Sequence, residues 1–224
     1  MLTGAGDGLM GEWSATRAGA HGALADVWVR RGRARRHPLS LEVLVIVGAS
    51  LVVAGAAQLS LRLPFTPVPV TLQTLAVLLV GAVLGARRGT LALLLYLAEG
   101  ALGLPVFAEA KSGVLYLVRA DPLHTTGGYL WGFVVAAALV GLLAQRRWDR
   151  SARSCIGAML LGEIAVFAFG VTWLAAALQA PSARALELGL YPFVVAEVAK
   201  LLVAAAALPA AWRFVGIGGM PRRR

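Results

Sequence analysis

Gly127-Gly128-Tyr129-Leu130-Trp131-Gly132-Phe133-Val134-Val135-Ala136-Ala137-Ala138-Leu139-Val140-Gly141-Leu142-Leu143-Ala144 carries no charge along its whole length, and Gln145-Arg146-Arg147-Trp148-Asp149-Arg150 follows at once. A hydrocarbon core of ~30 Å takes roughly 20 apolar helical residues to cross. Lipid offers no partner for backbone N–H and C=O groups, so such a run has to be helical. Water is therefore not the main solvent of this stretch, and the arginines after it mark the end that stays in the cytoplasm.

Working outward, the same pattern recurs on both sides. Apolar runs predict spans at residues 39–59, 70–84, 89–104, 127–144, 155–178 and 192–212. The whole chain of 224 residues is 59% hydrophobic and 14% charged, the balance of an all-α integral membrane protein with no separate soluble domain. The second and third spans are short: at 1.5 Å per residue each covers only ~24 Å. Six crossings are the first expectation; four crossings with a re-entrant hairpin between Val70 and Leu104 are the alternative.

A net charge of +10 could point to nucleic acid, and the placement of the basic residues decides against it. Arg30, Arg31, Arg33, Arg35 and Arg36 precede the first span. Arg87 and Arg88 come next, then Arg146, Arg147, Arg150 and Arg153, then Arg213 and Arg222 to Arg224. Every second connection is basic, which orients both termini to the cytoplasm. This reading divides the chain into a basic N-terminal tail (residues 1–38), a membrane domain (39–213) and a basic C-terminal tail (214–224). Asp7, Glu12 and Asp26 argue against a transit peptide, and the tail lacks the apolar stretch of a signal peptide.

Two outer connections are unlike plain linkers. Leu63-Pro64-Phe65-Thr66-Pro67-Val68-Pro69-Val70 holds three prolines, each fixing φ and restricting the residue before it, so the loop is stiff and extended. Residues 105–126 form a long loop with Lys111, Arg119 and two aromatics, suited to a binding element or lid. Small residues four apart, Gly81 with Gly85, Gly85 with Gly89 and Gly128 with Gly132, allow close helix approach in lipid. Ser50 and Ala54 leave a smooth strip on the first span that another membrane subunit could use.

Chemistry-bearing residues are few. Glu197 and Lys200, three apart, share one face of the last span, with Lys200 too deep to reach the outer surface easily. A charge at that depth costs ~3 kcal/mol on insertion scales. The pair therefore either faces a polar cavity or satisfies itself as an ion pair between helices. Glu163 fits a pocket wall or an interhelical hydrogen bond equally, and Glu99 sits within about a turn of the outer loop. Tyr129 and Phe133 share a helix face while Trp131 points elsewhere. His21, His37 and His124 are scattered, the single Cys155 excludes an intrachain disulfide, and neither a His-Glu-x-x-His pair nor a phosphate-binding glycine loop is present. A membrane enzyme using Glu163, Glu197 and Lys200 would lack a nucleophile or metal constellation.

The stretch Leu63-Pro64-Phe65-Thr66-Pro67-Val68-Pro69-Val70-Thr71-Leu72-Gln73-Thr74-Leu75-Ala76-Val77-Leu78 closely resembles the signature of the BioY family, the biotin-specific S components of energy-coupling-factor (ECF) transporters. Gly103-Leu104-Pro105-Val106-Phe107-Ala108, Thr126-Gly127-Gly128-Tyr129, Gly170-Val171-Thr172-Trp173 and the segment from Pro192 to Lys200 continue the likeness in order. Glu197 stands where the family usually has Asp, and Leu123-His124-Thr125 depart from its Gly-Pro-Thr-Gly-Gly-Tyr. The resemblance implies six helices, an outward-opening pocket covered by the first loop, and biotin as the transported ligand with no cofactor or metal. It implies ligand contacts from Lys200, Glu197, Tyr129, Arg119, Glu163, Phe65, Thr66 and Gln73. It also implies a transmembrane coupling subunit gripping the strip at Ser50, Ala54 and Ala57, a pair of cytoplasmic ATPases, and residence in a prokaryotic cytoplasmic membrane with the N-terminus inside. Work without an ATPase, as a solitary biotin carrier, is the transport alternative, and a structural scaffold predicts no saturable ligand.

Overall fold

The computed structural model describes residues 23–25 and 38–216. Most of the two basic tails, with Arg30 to Arg36 and Arg222 to Arg224, lies outside the described residues. Helices dominate: α1 (Pro38–Gln58), α2 (Gln73–Ala101), α3 (Gly127–Gln145), α4 (Ala152–Leu178), the short α5 (Ser182–Gly189) and α6 (Val194–Gly216). Among the described residues, five stretches are long and apolar enough to cross a membrane: Leu39–Gln58, Gln73–Ala101, Gly127–Gln145, Ala152–Leu178 and Ser182–Phe214.

The second of these is not one rod. Gly85 has φ 79° and ψ 172°, outside helical space and open to glycine at little cost. The chain turns back on itself there. A Cβ on Gly89 would lie 3.1 Å from Gly81 Cα, and Gln73 Nε2 donates to Tyr96 Oη at 2.7 Å. Along a straight helix those pairs would be roughly 12 Å and 34 Å apart. Residues 73–84 and 86–101 are thus two antiparallel arms, with the glycines expected to allow close packing lying at their contact.

The arms are short, yet they run the height of the bundle. At the tip Arg88 Nη2 donates to Glu42 Oε1 at 3.1 Å near the start of α1, and Gly85 lies against the Gln145 side chain at the end of α3. At the other end Gln58, the last residue of α1, donates to the carbonyl of Phe107 at 3.1 Å. Arg87, Arg88, Arg146, Arg147 and Arg150 accordingly gather at one end, with the loops of residues 59–72 and 102–126 at the other.

Small residues set the packing. Gly81 sits so close to α3 that a Cβ would come within 2.6 Å of the Ala137 carbonyl oxygen, and Gly141 returns the contact against the backbone of Ala86. Where tail-like side chains gain little by leaving lipid, such backbone proximity supplies the dispersion contacts that hold helices together. α2, α3 and α4 make the interior, α6 closes one side, and α1 packs on the second arm while exposing Leu44, Leu51 and Val52.

Residues 70–72, expected at the head of the second span, are not helical. Val70 and Thr71 form β2, paired antiparallel with β1 (Ser60–Leu61) in the register Ser60↔Thr71 and Leu61↔Val70. The proline-rich segment between them is a flap, because a ring nitrogen can donate to neither helix nor ladder. Thr66 Oγ1 donates to the Leu188 carbonyl at 2.6 Å and pins the flap to α5.

Candidate functional site

Beneath the flap lies a narrow, partly open cleft with an interior volume of about 50 Å³. Six parts of the chain converge on it. The flap and its strand β2 contribute Val68, Pro69 and Thr71, the head of α2 contributes Gln73 and Thr74, and the long loop contributes Phe107, Lys111 and Tyr116. Tyr129 and Phe133 come from α3, Phe167 from α4, and Phe193 and Glu197 from the start of α6.

The polar floor is built from the pair on α6. Lys200 Nζ donates to Glu197 Oε1 at 2.8 Å, to Thr74 Oγ1 at 2.8 Å and to the Thr71 carbonyl at 2.5 Å. All three ammonium protons are committed. Thr74 Oγ1 in turn donates to Glu197 Oε2 at 2.8 Å. Glu197 lines the chamber, whereas Lys200 lies behind that surface and holds the carboxylate and two threonines in place. Both readings of the pair from spacing therefore have a part in the structure: the charges satisfy each other, and one of them also faces a cavity.

The walls are aromatic. Tyr129 donates its hydroxyl to the Gly189 carbonyl at 2.7 Å, and its ring meets Phe167 edge-on at 6.1 Å between centroids. Gly170 lets that ring approach, since a Cβ there would fall 2.3 Å from Tyr129 Cδ1. Gln73 is held by Tyr96, which passes its own proton to the Val106 carbonyl at 3.1 Å. Gln58 clamps the neighbouring turn: Nε2 donates to the Val106 and Phe107 carbonyls, and Oε1 accepts from Ala110 N at 3.0 Å.

Several residues expected at the ligand lie elsewhere. Arg119 is largely exposed and paired with Asp121 at 2.8 Å, outside the chamber. Phe65 is exposed on the flap, and Thr66 serves to anchor it. Glu163 lines a separate lipid-facing groove between α4 and α6, with Oε1 lacking a partner among the described residues; Phe167 and Glu197 form the wall shared by groove and chamber. Ser50, Ala54 and Ala57 are buried, and Ser50 donates to Glu99 Oε2 at 2.7 Å. Small residues allow tight contact, and at Ser50 that contact is with Glu99 on the chain's own second arm.

Other residues escaped the sequence reading. Thr71 and Thr74 look like ordinary helix-head residues until the fold brings them against Lys200. Lys111 reads as loop charge, and only the turn at residues 108–110, with Glu109 at φ 64° and Ala110 at φ 56°, brings it over the chamber.

The likeness to known proteins is specific. A profile described as the BioY family matches residues 31–217. The biotin transporter BioY of Thermotoga maritima is 40% identical over 70% of this chain and 86% of its own length. The chain belongs to the BioY family. The biotin transporter BioY of Rhizobium etli is 34% identical over 73% of this chain and 88% of the relative. BioY2 of Lactococcus lactis is 37% identical over 71% and 83%. A crystal structure of the S-component for biotin from an ECF-type ABC transporter superposes with a TM-score of 0.67 at 22% identity, over 78% of this chain and 92% of that one. The fold is thus the S-component fold, and the BioY signature at residues 63–78 is the flap together with the head of α2.

Proposed function

We propose that this chain captures biotin from outside the cell and acts as the substrate-binding subunit of an ECF-type transporter in the cytoplasmic membrane. The observation that carries the reading is the chamber itself: an aromatic cleft closed below by the Glu197, Thr74 and Lys200 network and above by the proline flap. Biotin presents a neutral ureido ring with two N–H donors, an apolar thioether ring and a tail ending in a carboxylate. Glu197 keeps lone pairs free for the ureido donors, and the rings of Tyr129, Phe133, Phe167 and Phe193 cover the bicycle.

Six crossings with both termini cytoplasmic fit the two-arm α2 and the gathering of arginines at one end, and residues 39–213 then form the membrane domain between two cytoplasmic tails. A coupling subunit and paired ATPases would supply the energy. The surface of α1 that can meet the coupling subunit is the exposed one carrying Gly48, Leu51, Val52 and Gly55, where both glycines have open space beside them.

Calorimetry on the purified protein in detergent with biotin, desthiobiotin, thiamine and riboflavin tests the proposal. Saturable binding of biotin, weaker binding of desthiobiotin and none of the other vitamins is expected. Absence of biotin binding, or tighter binding of thiamine or riboflavin, overturns it.

A further inference from the structure

We infer that Lys111, and not Arg119, is the cation that receives the carboxylate tail of the ligand, and that Glu109 holds its ammonium in place until the ligand arrives. The inference rests on the biotin reading and names the part of the site that recognises the ligand's charge.

Polarity within the chamber is directional. Glu197 is 4% exposed at the floor, whereas the Lys111 side chain is 34% exposed at the mouth. A ligand with hydrogen-bonding groups at one end and an anion at the other can satisfy both ends at once. Lys200 cannot serve as the anion partner, because its three protons are already donated to Glu197, Thr74 and Thr71. Arg119 is turned to solvent with its own carboxylate partner, Asp121.

The ion pairs at the mouth leave Lys111 with charge to spare. Glu109 receives Arg62 through both carboxylate oxygens, Nε to Oε1 and Nη2 to Oε2 at 2.7 Å, a two-pronged pair of the strong kind. Lys111 Nζ sits 2.8 Å from Glu109 Oε2 as a second cation on the same group. Two cations share one carboxylate, so the mouth carries a net positive charge even with Glu109 fully ionised. Arg62 belongs to the flap side and Glu109 to the long loop, so their pair ties the two covers together and persists when Lys111 turns away. The ammonium also lies 6.0 Å from the centroid of the Tyr116 ring, which lines the chamber and keeps the cation over it. A short swing from Glu109 to an incoming carboxylate exchanges one charge-assisted contact for another and leaves no carboxylate unpaired.

The test compares biotin with its uncharged methyl ester by calorimetry on wild-type protein, Lys111→Met and Lys111→Arg, in detergent at low salt. Wild-type protein is expected to prefer biotin over the ester by about tenfold, the size of one charged hydrogen bond. Lys111→Met should lose most of that preference, weakening biotin while leaving the ester within about twofold of wild type; Lys111→Arg should restore it. A preference undiminished in Lys111→Met overturns the assignment while leaving biotin capture intact. Binding of neither compound to wild-type protein removes the functional reading and this assignment together.

Discussion

Lys200 reaches Glu197 at 2.8 Å from the side away from the chamber, so of two opposite charges one turn apart only the carboxylate faces the ligand space. The two residues consequently have separable jobs. Glu197 lines the chamber, and Lys200 neutralises and positions Glu197.

Lys200→Met leaves a buried carboxylate without its counter-charge, and a loss of about 3 kcal/mol in unfolding free energy is expected. Adding Glu197→Gln removes the stranded charge. The double variant should recover most of the lost melting temperature in detergent yet still bind biotin far more weakly than wild type in calorimetry. A double variant no more stable than Lys200→Met would show that the two charges are not coupled as described.

Gly170→Ala should lower biotin affinity by roughly tenfold, because a Cβ 2.3 Å from Tyr129 Cδ1 forces the ring off its seat at the Gly189 carbonyl. Gly157→Ala is the control. Its nearest neighbour, Trp148, would be in ordinary contact at 3.4 Å, and neither affinity nor stability should change. Equal effects from the two substitutions would refute the role given to Gly170.

Thr66→Val removes the hydroxyl that ties the flap to the Leu188 carbonyl at 2.6 Å and that accepts from Val68 N at 3.2 Å. Losing about 1 kcal/mol of closure should speed biotin dissociation about fivefold, with a much smaller change in association rate. Stopped-flow displacement by excess ligand reads both rates. An unaltered dissociation rate would mean that the flap does not retain the ligand.

Asp149 gives a prediction in pH. It lies in the turn Trp148–Arg150 at the basic end, with Oδ2 accepting from Trp212 Nε1 and Oδ1 without a partner among the described residues. Burial raises its carboxyl above the ordinary range. The folded state thus binds this proton more tightly than the unfolded state, and its contribution is most favourable below the unfolded value and is lost as pH rises through the folded one. Asp149→Asn keeps an acceptor for Trp212 and removes the charge. It should raise the melting temperature by a few degrees at pH 7.5, roughly 1 kcal/mol, with the gain shrinking towards pH 4. A lower melting temperature at pH 7.5, or a gain independent of pH, would contradict this.

Glu109 has the opposite sign. Hydrogen bonding from Arg62, with further help from Lys111, holds its carboxyl down at about 2. Its contribution is present above the unfolded carboxylate value and is lost only as pH falls towards about 2, so the tie between flap and long loop should survive from pH 8 to pH 4. Stopped-flow dissociation rates across that interval should therefore show no titration from this pair, and a step that Glu109→Gln abolishes would disprove it.

Much of this protein could be read before any fold was known. Hydropathy located the apolar stretches because a bilayer requires them to be helical, and alternating arginines marked one end of the bundle. The proline run at residues 63–70 announced a stiff cover, and Glu197 with Lys200 announced a polar feature at depth, since charges are costly there without a partner. Tyr129 and Gln73, singled out through the family signature, do line the chamber.

Rotation and reach were decided only in three dimensions. Helices apolar on every side, such as α1 and α3, carry no sequence signal for which face turns inward. Ser50, Ala54 and Ala57 could thus be assigned to a partner when they pack inside, and Glu163 to the chamber when it lines the outer groove. Lys111 enters the site through a turn whose backbone path no periodicity encodes, and the reversal of α2 depends on one glycine at positive φ. Membrane-scale partitioning acts residue by residue and so survives in the linear sequence; packing between faces of equal hydropathy depends on which backbones can touch, and exists only once the helices have met.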